Sequence, residues 1–503
     1  MTQHKLKIVS VSAEIAPFVK TGGLGEVTKS LSKAMAKLGH EVIAIAPYHH
    51  KIKDYSPAPK LIHKNLKIEI DTKNILYADI YESGFENSTV KIYFIDNPDL
   101  FSNFEPIYSS EYDNKRFLFF NAAIKPTLKA INFKPDIIQC HDWHTALIPN
   151  FIHKHKTRDF NPATIFTVHN LAFQLGGDWW AIPENKRDLG TTPLPLFSNN
   201  EEVSKINFAL RGILYADIIS AVSEHYVREI MTKKFGENLD KHLKTRKKEL
   251  FGIINGIDYN EYNPQTDPGL PEKFSVENFS ANRKNKTYLQ KYFDIEVNPS
   301  MPLAGMVSRI TEQKGFDLLI EILPALMKLN LQLVIMGGGD RRYEEVFSAT
   351  RKKYPKKFGY KPFEQKRETL VYAGSNFFLM PSRFEPCGLG QLLSLRYGSI
   401  PIVHRVGGLS ETVTDFDPKT GNGNGFVFSS YKPESLLAAI IRALELYKSN
   451  PEVWEGLMSN ALKQVYSWEL PANKYIALFK KAIIKHRFEN IGPKGFWSLF
   501  SQY

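Results

Sequence analysis

The sequence predicts an α/β protein with two doubly wound, mostly parallel sheets in two domains that face each other across a cleft. Three observations lead there. Short β-branched runs alternate with helix-period segments, which is the βαβ order of a parallel sheet covered on both faces. The alternation breaks once, in a polar stretch rich in Pro, Asn and Lys from about 258 to 300, and then restarts. Several apolar runs also end in glycine-rich turns that lead into helices.

In chain order, LKIVSVSAE (6–14) reads as a buried strand, followed by a Gly-rich turn. VTKSLSKAMAKLG (27–39) reads as a helix that stops at Gly39. HEVIAIAP (40–47), KPDIIQCHDW (134–143) and PATIFTVHN (162–170) read as further strands. After the break, PLAGMVSR (302–309) is a strand and Phe316 opens a helix. LQLVIMGGG (331–339), NFFLMPS (376–382) and SIPIVHR (399–405) are strands, with GLGQLLSLRYG (388–398) a helix between the last two. ESLLAAIIRALELY (434–447) is strongly amphipathic. The domains are placed at 1–260 and 261–470, and 471–503 is expected to be a helix crossing back to the first domain.

Composition narrows the class. At roughly 100–200 residues per domain, 503 residues fit two to four domains. With 43% apolar and 23% charged residues, global disorder is excluded. Two cysteines cannot build a disulfide framework or a four-thiolate metal site. No run approaches the ~18–20 apolar residues of a membrane helix, and the start, MTQHKLKIVSVSAEIAPF, lacks a signal-peptide layout. A soluble, reduced, cytoplasmic protein with no membrane partner is expected. The net charge of +12 suits an anionic ligand. Its basic clusters (KTRKK 244–248, RKKYPKK 351–357, KKAIIKHR 480–487) read as solvated helix faces, without the aromatic track of a nucleic-acid groove.

Ligands of parallel sheets bind beyond the carboxyl ends of the strands, so the loops there carry the chemistry. Lys20-Thr21-Gly22-Gly23-Leu24-Gly25 offers a helix end that an anion can approach, with Lys20 as a mobile cation. Its spacing is neither the dinucleotide fingerprint nor a P-loop; a tight strand–helix turn is the competing reading. Cys140-His141-Asp142-Trp143-His144 and Val168-His169-Asn170 end two strands. They fit a ring of hydrogen-bonding groups around a hydroxyl-rich substrate better than zinc. Arg309 and Lys314 flank a loop that could hold a diphosphate, or form a surface salt-bridge loop. Glu385 precedes Pro386-Cys387-Gly388-Leu389-Gly390 at a helix start and could accept hydrogen bonds from sugar hydroxyls. Gly407-Gly408-Leu409 repeats the glycine-pair device. Asp415-Phe416-Asp417 mimics a metal-binding triplet but reads as an acidic loop. Together these loops point to a nucleotide-sugar glycosyltransferase.

The set KTGGLGEV, HDWH, FTVHNLAFQ, INGID, SRITEQKG, SRFEPCGLGQL and RVGGLSETV resembles bacterial glycogen synthase and plant starch synthase, collinearly from about residue 6 to 485. The resemblance implies two Rossmann-like domains of the GT-B type, the first on the acceptor side and the second binding the donor. It implies a retaining glucosyltransferase that moves glucose from ADP-glucose to a non-reducing-end 4-hydroxyl of an α-1,4-glucan, with no metal or other cofactor. Lys20, Gly22 and Gly23 would then line the donor phosphates, and Arg309 and Lys314 would neutralise the leaving diphosphate. His169, Asn170 and Asp142 would hold the glucosyl unit. Glu385 would bind sugar hydroxyls, with Cys387, Gly388, Leu389 and Gly390 in the same pocket and Phe363 on the base. Front-face departure through an oxocarbenium-like state is the favoured route, with the leaving phosphate deprotonating the acceptor. Three departures stand out: Gly390 replaces a usual Thr, Phe363 a usual Tyr, and LGGDWWAIPENKRD follows the His169 motif. Trp179 and Trp180 either stack on glucan rings or anchor a lid or core. UDP-glucose as donor, another acceptor, or a glucan binder without turnover are the competing functions.

Overall fold

The first parallel sheet grows from β1 (Lys7–Val11), with β2 (Glu41–Pro47) on one side and β6 (Ile137–His141) on the other. The computed structural model describes residues 5–108, 112–157 and 159–500. β1 and β2 alternate with a helix over Gly23–Lys37, whose Leu31 and Met35 bury against Ile8, Val42 and Ala44. The sheet continues through β3 (Lys60–Glu69), β4 (Ile75–Gly84), β5 (Lys91–Asp96), β7 (Ala163–Val168), β8 (Ile218–Ala221) and β9 (Leu250–Gly252), in the order β3-β4-β5-β2-β1-β6-β7-β8-β9. From β5 to β9 every pairing is parallel, while β3-β4-β5 is an antiparallel meander at one edge.

The second sheet contains β10 (Leu303–Val307), β11 (Gln332–Met336), β12 (Phe358–Lys361), β13 (Phe377–Met380), β14 (Ile400–His404) and β15 (Phe426–Phe428). Its order is β12-β11-β10-β13-β14-β15, all parallel. That is the doubly wound 3-2-1-4-5-6 arrangement, whose strand order reverses between β10 and β13. Its core joins Leu319, Ile322 and Leu323 of one helix to Leu436, Ile440 and Ala443 of another through Ile335, Phe377 and Ile402 of the sheet.

The chain divides into two compact units. One comprises residues up to Val222, Val227–Ile253 and the chain from Trp468 onward; the other comprises Ser223–Tyr226 and Ile254–Ser467. The helix Glu469–Phe500 therefore belongs to the first unit, where Tyr475, Ile476 and Phe479 enter the same core as Ile8 and Leu31. Asp217 fastens it: His486 Nδ1 lies 2.8 Å from its carboxylate and Lys485 Nζ donates to its carbonyl at 2.9 Å. Among the described residues, no helix is long and apolar enough to cross a membrane.

Two local features differ from the sequence reading. The first helix begins at Gly23 rather than Val27. Gly23 and Gly25 therefore form its first turn, and a Cβ on Gly25 would lie 3.0 Å from the Val19 carbonyl. The stretch between 48 and 133, to which the sequence reading assigns no strand, holds β3, β4 and β5.

Candidate functional site

In each unit the loops of interest lie beside the strand where the order turns back. In the first unit these follow β1, β6 and β7; in the second they follow β10 and β13.

After β1 the chain reaches Glu14, which is 3% exposed. Its carboxylate accepts from Thr21 N at 2.7 Å, Gly22 N at 3.3 Å, Thr21 Oγ1 at 2.5 Å and Tyr108 Oη at 2.6 Å. Glu14 thus clamps the Gly-rich loop from below. The Gly22 N–H is consumed by that clamp, so it is not aimed at a ligand. Gly22 itself has extended backbone at φ −158°, and an added Cβ would meet nothing within 4 Å. Neither packing nor backbone geometry requires glycine there, which leaves open approach to the helix end as its use. Gly23, exposed, begins the helix, and no side chain caps that end. Lys20 is not a mobile cation: its Nζ lies 3.1 Å from Glu26, which also holds Lys29 at 2.8 Å. Burial opposes the Glu26 charge, but the Lys29 and Lys20 ammonium groups outweigh it and hold the carboxyl below its ordinary range.

After β6, Asp142 has φ +61° and ψ 178°, a region that L residues rarely adopt. The turn holds it there. Asp142 N donates to the Thr167 carbonyl at 2.9 Å, and Thr145 Oγ1 donates to the His141 carbonyl at 2.9 Å. The backbone N–H groups of His169 and Asn170 point at Asp142 Oδ1 from 3.3 and 3.4 Å. Burial nevertheless dominates and pushes the Asp142 carboxyl up to about 7, with the Glu14 charge adding to the rise. That coupling also joins the β1 and β6 loops electrostatically.

Three side chains form a line at the ends of β1, β6 and β7, with Ser10 and His141 buried and His169 half-buried. Ser10 Oγ lies 3.1 Å from His141 Nε2, and His141 Nδ1 lies 2.9 Å from His169 Nε2. Burial lowers His169 to about 3 and His141 well below its ordinary value, so both rings are neutral at working pH. A neutral, oriented imidazole can hydrogen-bond a hydroxyl without adding charge. The Asn170 Oδ1 accepts from Ala172 N at 3.1 Å, which fixes its side chain.

In the second unit, Lys314 Nζ lies 2.6 Å from Glu385 Oε2, and Ser382 Oγ donates to the same oxygen at 2.9 Å. Glu385 is only 6% exposed. Gly407 and Gly408 explain its placement. A Cβ on Gly407 would lie 2.0 Å from the Glu385 carbonyl, and one on Gly408 would lie 2.1 Å from that of Cys387. Gly408 N donates to the Glu385 carbonyl at 3.1 Å. Gly315, at φ +78°, docks the Lys314 turn against Pro381 in the same way.

Arg309 is exposed in the loop after β10, and no contact among the described residues engages its guanidinium. Phe363, 51% exposed, stands two residues beyond β12, and no contact joins it to the Lys314–Glu385 pair. Cys387 turns inward: burial pushes its thiol up to about 12, and it accepts from Asn255 N at 3.4 Å. It supports the loop from within and is not a nucleophile. Gly388, at φ +78°, packs against Gln391, whose amide donates to the Cys387 and Gly388 carbonyls at 3.1 and 3.0 Å. Leu389 is half-buried just before the helix Gly390–Arg396. A Cβ on Gly390 would lie 3.1 Å from the Phe378 ring and 3.2 Å from Met380 Sδ, a tight fit against β13. Asp415 of the acidic triplet is pinned by Arg442, at 3.0 Å through both guanidinium ends, and by Val427 N at 2.7 Å. Among the described residues, no group of three or more His, Cys, Asp or Glu is arranged to hold a metal.

Sequence reasoning missed Glu14 and Tyr108. Glu14 carried a signal, an acid at the end of a buried strand just before the glycines. Tyr108 carried none.

Comparisons with known proteins show the family and the fold. Residues 7–245 match the family described as Starch synthase catalytic domain, and residues 290–455 match Glycosyl transferases group 1. Glycogen synthase of Pseudothermotoga lettingae is 36% identical, over 96% of this chain and 100% of that one. Glycogen synthase of Desulforudis audaxviator is 38% identical, over 96% and 98%. Among solved structures, the catalytic domain of Arabidopsis thaliana starch synthase IV, bound to ADP and acarbose, superposes with a TM-score of 0.83 at 28% identity, over 95% of this chain and all of that one. Sucrose-phosphate synthase of Thermosynechococcus elongatus, at 16% identity and a TM-score of 0.60, shares the two-domain GT-B fold. The chain is a glycosyltransferase and belongs to the glycogen and starch synthase family.

Proposed function

We propose that this chain extends an α-1,4-glucan by moving glucose from ADP-glucose to a non-reducing-end 4-hydroxyl, with retention of configuration. The observation that carries this reading is the Lys314–Glu385 pair, 2.6 Å apart, in the loops at the switch point of a nucleotide-type sheet. The relatives named glycogen synthase support a glucan acceptor, and the ADP held by the starch synthase relative supports an adenine nucleotide.

The residues divide the work. Arg309 forks onto the diphosphate and Lys314 places a point charge beside it, so negative charge developing on the leaving group is met where it forms. Glu385 accepts hydrogen bonds from glucosyl hydroxyls, and neutral His169 with Asn170 hydrogen-bonds the glucosyl unit. The bond from C1 to the phosphate oxygen breaks as the acceptor O4 bonds to C1 on the same face. The acceptor proton passes to the departing phosphate oxygen, and ADP leaves. The two cations supply the charge neutralisation, so a metal is not required.

Glu14 positions the donor loop through Thr21 and Gly22. Glu14→Gln keeps the shape but loses the charge that strengthens those contacts, worth about 1.5–3 kcal/mol for a charged acceptor. The expected result is a donor KM raised on the order of tenfold with a smaller fall in kcat, read from initial rates against donor concentration. An unchanged donor KM contradicts the positioning role.

Radiolabel transfer to glycogen, from ADP-glucose and UDP-glucose in parallel and with or without EDTA, tests the function. Incorporation from ADP-glucose that survives EDTA is expected. Preference for UDP-glucose overturns the donor assignment, and loss in EDTA restored by a metal overturns the metal-free chemistry. A folded protein that transfers from neither donor is a glucan binder or uses another acceptor.

A further inference from the structure

We propose that Trp180 is the centre of a glucan-binding platform on the first unit, where a pyranose ring of an α-1,4-glucan stacks on the indole; this rests on the glucan reading above. The Trp179-Trp180 pair splits in the fold. Trp179 is 7% exposed and anchors the segment, whereas Trp180 is 56% exposed. Tryptophan joins a large apolar face to a polar N–H at its edge, the shape that serves contact with a ligand at a wet surface.

The open indole is nonetheless held. Trp180 N donates to Asp178 Oδ1 at 2.9 Å, and its ring N–H donates to Glu237 Oε2 at 3.3 Å. The Arg187 guanidinium lies 5.4 Å from its ring centre and 5.2 Å from that of Trp179. Arg187 is fixed in turn by donation from Nε to the Ile182 carbonyl at 3.0 Å.

The support behind Glu237 is strained. Glu237 and Asn238 have successive positive φ angles of 48° and 66° without being glycine. Such strain persists where the surroundings over-determine it, and here they do. Gln174 Nε2 donates to the Glu237 carbonyl at 2.7 Å, and Asn207 holds the other end of the Gln174 amide at 2.6 Å. The fold thus sustains a strained turn that presents a carboxylate to the edge of an exposed ring.

This arrangement matches a sugar. A pyranose offers a face of C–H groups to an aromatic ring, and equatorial hydroxyls to charged groups at the rim. Glu237, at the indole edge, is placed for those hydroxyls, and Arg187 lies over one face of the ring, so the sugar takes the other. A protein partner would call for a broader apolar surface than one indole ringed by Asp178, Glu237 and Arg187.

The test is mobility of the full chain in native gels containing glycogen, with initial rates on glycogen and on maltotriose. Trp180→Ala is expected to weaken glycogen retardation about tenfold and to raise the glycogen KM by a similar factor, with a smaller change on maltotriose. Trp180→Phe is expected to restore much of both. Glu237→Gln, which leaves the indole in place, gives a second reading if Trp180→Ala folds poorly, and a two- to fivefold loss of retardation is expected. Equal retardation of wild type, Trp180→Ala and Glu237→Gln overturns the platform even when the wild type incorporates label. Wild type that neither binds glycogen nor incorporates label overturns the platform together with the glucan reading.

Discussion

Lys314→Ala is expected to lower turnover roughly 100- to 1000-fold, the scale seen when one preorganised charge facing a transition state is removed. The same change strands Glu385, whose oxygen then keeps only the Ser382 hydroxyl. Removing one partner of a fully buried pair costs about 3–5 kcal/mol. Lys314 retains 19% side-chain exposure, so about 2 kcal/mol of stability is expected to be lost. The two effects separate in the double variant Lys314→Ala/Glu385→Gln. Neutralising the stranded carboxylate is expected to restore the denaturant midpoint and leave turnover low. If turnover recovers with stability, Lys314 serves only to satisfy Glu385, and its leaving-group role is wrong.

Asp142→Asn is expected to separate function from stability in the opposite sense. The asparagine keeps the shape, tolerates the positive φ and still accepts from the His169 and Asn170 backbone. It removes only the charge. Burial raises the native carboxyl from 3.8 to about 7. Between those values the folded state keeps a proton that the unfolded chain releases, so the group costs increasing stability as pH rises from about 4 to 7 and a constant amount above. Asp142→Asn should therefore match wild type in stability near pH 4 and exceed it by about 4 kcal/mol at pH 8, measured by urea unfolding. Turnover is expected to fall on the order of 100-fold, the trade that a destabilised site residue makes. A variant no more stable at pH 8 than at pH 4, relative to wild type, contradicts the buried-carboxylate account.

What the sequence disclosed follows from where periodicity is strong. The strands buried on both faces, such as Glu41–Pro47 and Gln332–Met336, carry unbroken apolar runs, VIAIAP and LVIM. The β3–β4 edge did not. β3 is mostly exposed, and its register shifts between Leu61 and His63 and again between His63 and Leu66. Neither alternation nor a buried run survives such bulges. The excursion of Ser223–Tyr226 into the second unit was equally silent, since it turns on Ser223 Oγ donating to the Pro386 carbonyl at 2.7 Å, 163 residues away.

The site was legible where backbone freedom writes itself into the sequence. Gly315, Gly407 and Gly408 mark close approaches that any side chain would block. Side-chain partnerships were not legible. That Lys20 is tied to Glu26, that Cys387 faces inward and that Glu14 holds the loop depend on contacts the linear pattern does not encode. Glu14 and Tyr108 meet across 94 residues.

The most direct test of the central claim is the linkage of the transferred glucose. Glycogen labelled from ADP-glucose by this chain would be digested with β-amylase, which removes maltose from non-reducing ends through α-1,4 bonds. Release of essentially all label as maltose is the expected result, since it requires retention, a 4-hydroxyl acceptor and extension at the non-reducing end together. Label left in the limit dextrin, or no label transferred by a folded protein, would contradict it.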